Sequence, residues 1–515
     1  PYYSSSNGGA ANCTAPGDTF QFDALGRPTQ TTHSDNSVFL TSYAGRSTET
    51  QDEGNPTARV TRITQRDGLG RLGAVCEVSS TLQLGTDGAP ASCGLDIGAT
   101  GFLTTYQHDA LGNLLQVNQG AAQRSFAYDG RSRLISATTP ESGTTMYSWD
   151  EPPPGGYCAG QQVPGSSGDI VQRMDARGIS TCYRYDPLHR ITWKNYSDGT
   201  PVRFYAYDMS TAWVGVALGN PIGRLTYAST PAVAEVFGYD ATGRTTRNWQ
   251  ALANGSTYPL DYAYDLAGDL TTAANGAGVT LASTYDLAGR PQSLSSSLVD
   301  PQHPATLASG VQYNAFKEPV AITMGNGIAE TTQFDARGRM IARSAGSIYS
   351  LSGIQYANDG DVIAAADSAN GGAWSYRYDD LNRLSAATAP AIGLGFAFDR
   401  RGNRWQQSVT AGAGPSFSQA FDGNNHAVGY SYDAAGNLVA DGHCTYTYDA
   451  ENELTSVGGG GCIAATYIYD AEGRRVRTVT GSTEDTVFDL EGRPAAVFGM
   501  VNGSPQWWWS EIYLG

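Results

Sequence analysis

A short aromatic and acidic motif recurs along almost the whole chain, and this repetition constrains the fold more than any other feature. The pattern Tyr/Phe-x-Tyr/Phe-Asp occurs eleven times in 515 residues, first at Phe20–Asp23 and last at Tyr467–Asp470. Many successive copies lie about 20 residues apart, which is enough for two strands and two turns. Two aromatic residues at i and i+2 share one face of a strand. The repeat therefore predicts an array of β-hairpins.

The residues after the aspartate predict the turn of each hairpin. Asp-x-x-Gly-Arg or Asp-x-x-Gly-Asn occurs in ten copies, and alternating apolar residues then resume. We expect the carboxylate to accept backbone N–H groups of the turn. The glycine position is expected to need a positive φ, because Asn or His replaces Gly in four copies, with Ser132 as the exception. The turn residues assigned are Asp23 and Gly26, Asp109 and Gly112, Asp240 and Gly243, Asp335 and Gly338, and Asp470 and Gly473.

These copies resemble the YD repeats of the Rhs and teneurin families and of the large B and C components of insecticidal toxin complexes. The resemblance covers nearly everything from Phe20 to Gly515. It implies an all-β fold in which a continuous antiparallel sheet of hairpins spirals into a hollow barrel or shell. In Rhs-type toxins such a shell encloses a C-terminal toxic domain, and in teneurins it is an extracellular scaffold for adhesion. The Asp-Pro-x-Gly-Leu motif that is linked to self-cleavage in this family has no match here, so no protease residues are carried over.

The chain is expected to form a single domain over residues 1–515. Length alone suggests about three domains, but repeat units bury their surface on their neighbours and escape that rule. Three irregular features interrupt the array: an N-terminal segment at 1–18, a Pro/Gly-rich insertion at 151–168 and a Trp-rich terminal strand at 505–515.

Six of the seven cysteines fall into local pairs. The predicted disulfides are Cys76–Cys93, Cys158–Cys182 and Cys444–Cys462, and Cys13 is left over. Isolated disulfides indicate an oxidising compartment, whereas buried thiols are the alternative interpretation. The pairing therefore favours a secreted, extracellular or cell-surface protein.

Composition excludes several functional classes. The net charge of −17 and the scattered arginines disfavour nucleic acid as a partner. No apolar run approaches the ~20 residues of a membrane helix, so no membrane span is expected. The six histidines lack metal-ligand spacing, and Gly68–Gly73 matches a dinucleotide motif only as another repeat turn. No catalytic, cofactor-binding or metal-binding residue is assigned, and the chain is not expected to be an enzyme.

The run Trp507-Trp508-Trp509 is the least explained feature. On a regular strand Trp508 points away from its two neighbours, so at least one large ring needs a partner outside its own sheet face. The simplest interpretation is a packed cover at the end of the sheet. The alternative makes the three residues a candidate contact for another subunit or for a glycan.

These observations predict a secreted, non-catalytic shell or scaffold that encapsulates or presents a toxin or other cargo. The first alternative is an extracellular structural or adhesive protein that polymerises into filaments through its sheet edges. A glycan-binding or glycan-cleaving β-repeat protein is a more distant alternative.

Overall fold

All regular structure in the computed structural model is β. It describes residues 17–81, 88–161, 167–212, 215–252, 255–502 and 504–511, which form 45 strands and no α-helix. Every strand pair is antiparallel, which confirms the predicted all-β array of hairpins. Among these residues there is no helix that could cross a membrane. Cys13, most of segment 1–18, and residues 162–166 and 512–515 lie outside the described residues.

The chain divides into two compact units, and each unit combines two separate stretches of sequence. Unit 1 consists of Pro1–Gln123 and Glu330–Asn425, and unit 2 consists of Arg124–Ala329 and His426–Gly515. We call the strands of the earlier stretch the early ribbon of that unit and those of the later stretch its late ribbon. The single domain expected over residues 1–515 stays a prediction.

In unit 1, consecutive strands of each ribbon pair with one another, except that β6 and β7 both pair with β8. The early ribbon comprises β1 (Thr19–Phe22), β2 (Pro28–Thr32), β3 (Val38–Ala44), β4 (Ser47–Gln51), β5 (Thr61–Arg66), β6 (Leu72–Val78), β7 (Ala91–Ser92), β8 (Thr100–His108) and β9 (Leu114–Gln119). In the later stretch the strands of this unit are β28 (Ala329–Phe334), β29 (Met340–Ala345), β30 (Tyr349–Tyr356), β31 (Val362–Asp367), β32 (Gly372–Tyr378), β33 (Leu384–Ala389), β34 (Ile392–Phe398), β35 (Arg404–Gly412) and β36 (Phe417–Ser418).

Unit 2 follows the same plan, with one small separate hairpin, β17–β18, inserted in its early ribbon. That ribbon comprises β10 (Ala122–Tyr128), β11 (Leu134–Thr139), β12 (Gly143–Trp149), β13 (Ile170–Met174), β14 (Ser180–Tyr185), β15 (Ile191–Tyr196), β16 (Arg203–Tyr207), β17 (Thr211–Ala212), β18 (Val216–Ala217), β19 (Leu225–Ser229), β20 (Val233–Tyr239), β21 (Thr245–Leu252), β22 (Thr257–Tyr264), β23 (Leu270–Ala274), β24 (Thr280–Tyr285), β25 (Pro291–Ser296), β26 (Thr306–Tyr313) and β27 (Pro319–Met324).

The late ribbon of unit 2 is a nine-stranded sheet in chain order. Its strands are β37 (Ser431–Tyr432), β38 (Leu438–Ala440), β39 (Thr445–Tyr448), β40 (Leu454–Gly458), β41 (Ala465–Tyr469), β42 (Arg475–Val479), β43 (Thr483–Phe488), β44 (Pro494–Val501) and β45 (Ser504–Trp509).

The period-2 pattern of the strands gives each ribbon two different faces. On β32, Trp374, Tyr376 and Tyr378 are partly buried, whereas the intervening Ala373, Ser375 and Arg377 are exposed.

In unit 2 an apolar core forms between the two ribbons. Val233, Leu260 and Tyr262 of the early ribbon pack with Val487 and Phe498 of the late ribbon. Burial of such side chains is the main favourable term that holds two sheets together.

Candidate functional site: the repeat turn and the contacts between ribbons

Most repeat turns are organised by one aspartate, and Asn314 takes its place in one of them. In the first copy, the N–H groups of Leu25 and Arg27 both donate to Asp23 Oδ1 at 2.9 Å, and Arg27 Nε donates to Oδ2 at 2.7 Å. Gly26 has φ 76°, a conformation in which a Cβ atom is unfavourable. The pKa of the Asp23 carboxyl is lowered, chiefly by the N–H of Arg27 and further by its guanidinium. The Asp23 carboxylate thus has a structural role: it accepts the hydrogen bonds that hold the turn.

The same geometry recurs at the other assigned turns. Oδ1 of the aspartate accepts the N–H groups two and four residues further on, at 2.8–3.0 Å, at Asp109, Asp240, Asp335 and Asp470. The assigned glycines all have positive φ: Gly112 92°, Gly243 94°, Gly338 76° and Gly473 85°. Ser132, set apart by the sequence pattern, has φ 60° and occupies the same conformation.

Several turns are also linked to the next repeat along the ribbon. The Arg27 guanidinium, held by Asp23, lies 4.1 Å from the ring centroid of Tyr43. The Tyr43 hydroxyl donates to the carbonyl of Pro28 at 3.0 Å. Pro28 is where the register between β1 and β2 shifts, which leaves that carbonyl outside the regular ladder. One repeat therefore satisfies a backbone acceptor in the preceding repeat.

This Asp–Arg–Tyr linkage is repeated in both units. Arg190, Arg244 and Arg339 lie over the next tyrosine ring at 4.2–4.8 Å. The hydroxyls of those rings, Tyr207, Tyr264 and Tyr356, donate to the first carbonyl of the return strand at 2.6–3.1 Å.

The motif search missed a copy in which tryptophan replaces the second tyrosine. Trp149 precedes Asp150, its Nε1 donates to the Leu134 carbonyl at 2.8 Å, and Arg133 lies over its ring at 5.1 Å. The 151–168 insertion occupies the turn that follows, since Asp150 Oδ1 accepts the N–H of Gly168. Allowing Trp in the aromatic position would have found this copy.

In unit 1, turns of the late ribbon contact loops at the strand ends of the early ribbon. Asp380 accepts the N–H groups of Ser80 and Thr81 at 2.8 and 3.2 Å and the Ser79 hydroxyl at 3.0 Å. Arg337 donates to Asp35 at 3.0 Å. These contacts join residues about 300 positions apart in sequence.

In unit 2, the corresponding contacts are buried ion pairs. Arg474 donates to both carboxylate oxygens of Glu235, which is only 2% exposed, and to Asp470 of its own turn. Burial raises the pKa of Glu235 and the Arg474 charge opposes this effect. Arg203 pairs with Glu453 at 2.7 Å in the same way.

Turns that contact another ribbon differ from turns that do not. Ala450 and Ala471, in late-ribbon turns of unit 2, are 1% and 3% exposed. Leu25 and Leu69, in early-ribbon turns of unit 1, are 78% and 75% exposed. Two residues after the aspartate, where the exposed turns carry Leu25 and Leu69, these two docking turns carry Glu451 and Glu472, which pair with Arg173 and Arg474.

The structure pairs the six cysteines that the sequence analysis grouped. The Cα atoms lie 6.0 Å apart for Cys76–Cys93, 5.4 Å for Cys158–Cys182 and 5.6 Å for Cys444–Cys462, all within the normal range for disulfides. The second pair ties the 151–168 insertion to β14.

The three tryptophans do not alternate as they would on a regular strand. Phe498 pairs with Trp507 and Val497 pairs with Trp509, so Trp508 is the extra residue of a β-bulge. As a result all three rings line one cavity in unit 2. Trp508 and Trp509 remain 48% and 44% exposed.

This repeat geometry agrees with known proteins. The family model described as teneurin YD-shell matches residues 222–394 and 354–488, which together are more than half of the chain. The chain belongs to this YD-shell family. Its fold is similar to that in the crystal structure of TcdB2–TccC3, with a TM-score of 0.75, 15% identity, and coverage of 95% of this chain and 28% of that chain. The structure of the Photorhabdus luminescens Tc holotoxin pore is similar over 94% of this YD-shell chain and 26% of that chain, at 14% identity and a TM-score of 0.74.

Curated relatives include the double-stranded DNA deaminase toxin A of Burkholderia cenocepacia, which is 24% identical over 416 residues. That alignment covers 75% of this YD-shell chain and 27% of the toxin. The tRNA3(Ser)-specific nuclease WapA of Bacillus spizizenii is 34% identical over 122 residues, or 22% of this chain and 5% of WapA. The chain thus spans about a quarter or less of the length of these relatives. As a member of this family it is a repeat-built shell scaffold.

Proposed function

We propose that this chain forms part of a shell wall that encloses a polypeptide toxin or other cargo and catalyses no reaction itself. The observation that carries the proposal is the YD-shell match together with similarity to toxin proteins that are several times longer than this chain. The matched region is 27% of the deaminase toxin and 28% of the TcdB2–TccC3 chain, so most of each longer polypeptide lies outside the match.

The contacts between ribbons support enclosure. A wall that protects a cargo needs closed joints between successive ribbons, and unit 2 has a buried ion pair and an apolar core at that place. The turn carboxylates support a non-catalytic wall, because backbone N–H groups and arginines already occupy their oxygens.

Secretion or surface display is part of the proposal. The three disulfides favour an oxidising compartment, since cytosolic proteins rarely keep such bonds. Alkylation of the unreduced protein followed by mass spectrometry should leave the six paired cysteines unmodified. Modification of all six in protein recovered from its natural location would contradict this part.

Protection from protease tests enclosure. The natural gene product is digested with trypsin before and after the substitution Arg474→Ala, and its fragments are identified by mass spectrometry. We expect the enclosed cargo, a segment of the polypeptide that is not part of the wall, to survive digestion in the native protein. The same segment should be cleaved faster in the variant. Equal cleavage of every such segment in native and urea-unfolded protein would overturn the proposal.

The filament and glycan alternatives find no support in the comparisons.

A further inference from the structure

One turn of unit 1 keeps the backbone of the repeat turn but changes its charges. The Ala357 N–H donates to the Asp361 carbonyl at 2.8 Å, which is the bond that Asp23 and Arg27 make in the first repeat at 2.9 Å. Ala357 thus stands at the position of the aspartate, and Asp361 stands at the position of the arginine. The turn therefore places a carboxylate where the first repeat places a guanidinium, and residues 357–361 include no arginine.

This turn lies where the late ribbon of unit 1 meets the early ribbon. The Asp359 N–H donates to the Gly54 carbonyl at 3.3 Å, and Asn55 Nδ2 lies 3.0 Å from the side-chain amide of Asn382. We call this contact the Asn55–Asn382 joint. Asn382 replaces glycine in the next turn of the ribbon and has φ 59°, so it adds a polar side chain at a position where most copies have none.

One atom of the Asn382 amide faces three partners. It lies 3.0 Å from Asn55 Nδ2, 2.9 Å from Asp361 Oδ2 and 3.3 Å from Asp359 Oδ2. As an oxygen, this atom accepts from Asn55 and repels the two ionised carboxylates. As a nitrogen, it donates to both carboxylates and cannot pair with the donor on Asn55.

Asn55 cannot resolve this conflict by turning its own amide. Its Oδ1 accepts the N–H groups of Thr57 at 2.9 Å and Ala58 at 3.0 Å, so its Nδ2 must face Asn382. A proton on Asp361 resolves the conflict, because the protonated carboxyl donates to the Asn382 oxygen. The alternative is an Asn382 amide turned toward the carboxylates, which leaves Asn55 Nδ2 without this acceptor.

The surroundings favour the protonated carboxyl. Burial, followed by the charges of Asp359 and Asp52, raises the pKa of Asp361 to about 6. Burial is also the largest cause that raises the pKa of Asp52. The other charged or titratable groups around the joint are Glu53 with His33, Arg59, Arg337 with Asp35, Asp380, Arg383 with Asp379, and Tyr378.

We propose that Asn382 is a proton-coupled switch that closes the joint between the two ribbons of unit 1 in acid and loosens it near neutral pH. When Asp361 holds its proton, the Asn382 oxygen accepts from both Asn55 and Asp361. When Asp361 releases that proton to solvent, the Asn382 amide turns and donates to Asp361 and Asp359. The hydrogen bond from Asn55 is then lost. This switch goes beyond the proposed function and needs no cargo.

Side-chain NMR tests the switch on the intact chain. The chain is isotopically labelled at asparagine nitrogen, and the Asn55 NH₂ signal is identified as the one missing from the variant Asn55→Asp. Between about pH 4.5 and 7.5 we expect this signal to move upfield as its hydrogen bond is lost, with a midpoint near pH 6. EDTA in every sample excludes a metal ion as the cause.

Four variants locate the switch. Asp361→Asn is a permanent donor, so the Asn55 signal should keep its acid position throughout. Asn382→Gly tolerates the positive φ and removes the amide, so the signal should keep its neutral position. Asn452→Gly, at φ 61° in unit 2, is the matched control and should leave the titration unchanged. His33→Gln removes another group that titrates in this range and should also leave it unchanged.

Each outcome decides the inference. An Asn55 signal that does not move with pH overturns it, as does a full titration in Asp361→Asn or in Asn382→Gly. Loss of the titration in His33→Gln assigns the effect to the His33–Glu53 pair and also overturns it. The dispersion of the backbone asparagine signals shows whether each variant folds, and the wild-type titration decides the inference even if one variant does not.

Discussion

At the scale of single residues, the turn depends on backbone conformation more than on side-chain packing. Gly112 has φ 92°, and a Cβ atom placed there would meet no other atom within 4 Å. We therefore expect Gly112→Ala to lower stability only by the cost of the left-handed conformation, about 1 kcal/mol, measured from the urea unfolding midpoint. Gly112→Asn should cost less.

The matched control for this prediction is Ser132→Gly. Ser132 already has φ 60°, so glycine relieves strain there and should raise or maintain stability. Destabilisation by Ser132→Gly equal to that by Gly112→Ala would show that the conformation is not the cause.

Two aspartates of unit 1 should change the stability of the fold with pH in opposite directions. Burial, followed by the charges of Asp359 and Asp52, raises the pKa of Asp361 to about 6. Since its unfolded value is about 3.9, its ionisation lowers stability as pH rises from about 4 to 6. The pKa of Asp367 is lowered, chiefly by the hydrogen bond from the Asn370 amide. The ionised Asp367 therefore stabilises the fold, and this contribution to stability is lost as pH falls below about 4.

Urea midpoints measured from pH 3 to pH 7 check these signs. Asp361→Asn should flatten the curve between pH 4 and 6, and Asp367→Asn should flatten it only below pH 4. Identical curves for the two variants would contradict the assignment.

At the scale of strands and hairpins, the tyrosine hydroxyl joins one repeat to the preceding one. Tyr378 donates to the Val362 carbonyl at 2.8 Å, where the register of β30 and β31 shifts. Tyr378→Phe leaves this acceptor without its partner, and we expect a loss of about 1 kcal/mol in the free energy of unfolding.

Tyr376→Phe is the control for this prediction. Tyr376 shares the face of β32 and stacks on Trp374, with ring centroids 6.3 Å apart. Its ring remains in the phenylalanine variant, so stability should change little. Equal losses in both variants would mean that the hydroxyl of Tyr378 contributes nothing specific.

The local repeat was predictable from sequence because its hydrogen bonds join residues two to four apart. Asp23, Gly26 and Arg27 are all in the motif, and their spacing alone determines the turn. The contact of Arg27 with Tyr43 was missed because it reaches beyond the motif, to a tyrosine that is followed by Ala44 and not by aspartate. Trp149 was missed because tryptophan was not allowed in the pattern, although its Nε1 makes the same bond as a tyrosine hydroxyl.

The contacts between ribbons were not predictable in the same way. Asp380 contacts Ser80 across 300 residues, and the curvature of a ribbon, which no single motif encodes, decides which turn meets which edge. A weaker signal was present. In unit 2, Glu451 and Glu472 stand in docking turns at the position that Leu25 and Leu69 occupy in exposed turns.

At the scale of a whole unit, the pair of Arg474 with Glu235 is the contact whose loss should matter most. Glu235 is buried, and removing its partner leaves a carboxylate away from water. Arg474→Ala should therefore cost about 3–5 kcal/mol in the free energy of unfolding of unit 2. Combining it with Glu235→Leu removes one of the two buried carboxylates that Arg474 binds and should recover part of that loss, because Asp470 stays without its arginine. A double variant less stable than Arg474→Ala would show that the ribbons are held together at this place by shape and packing, and that the ion pair only fills the space between them.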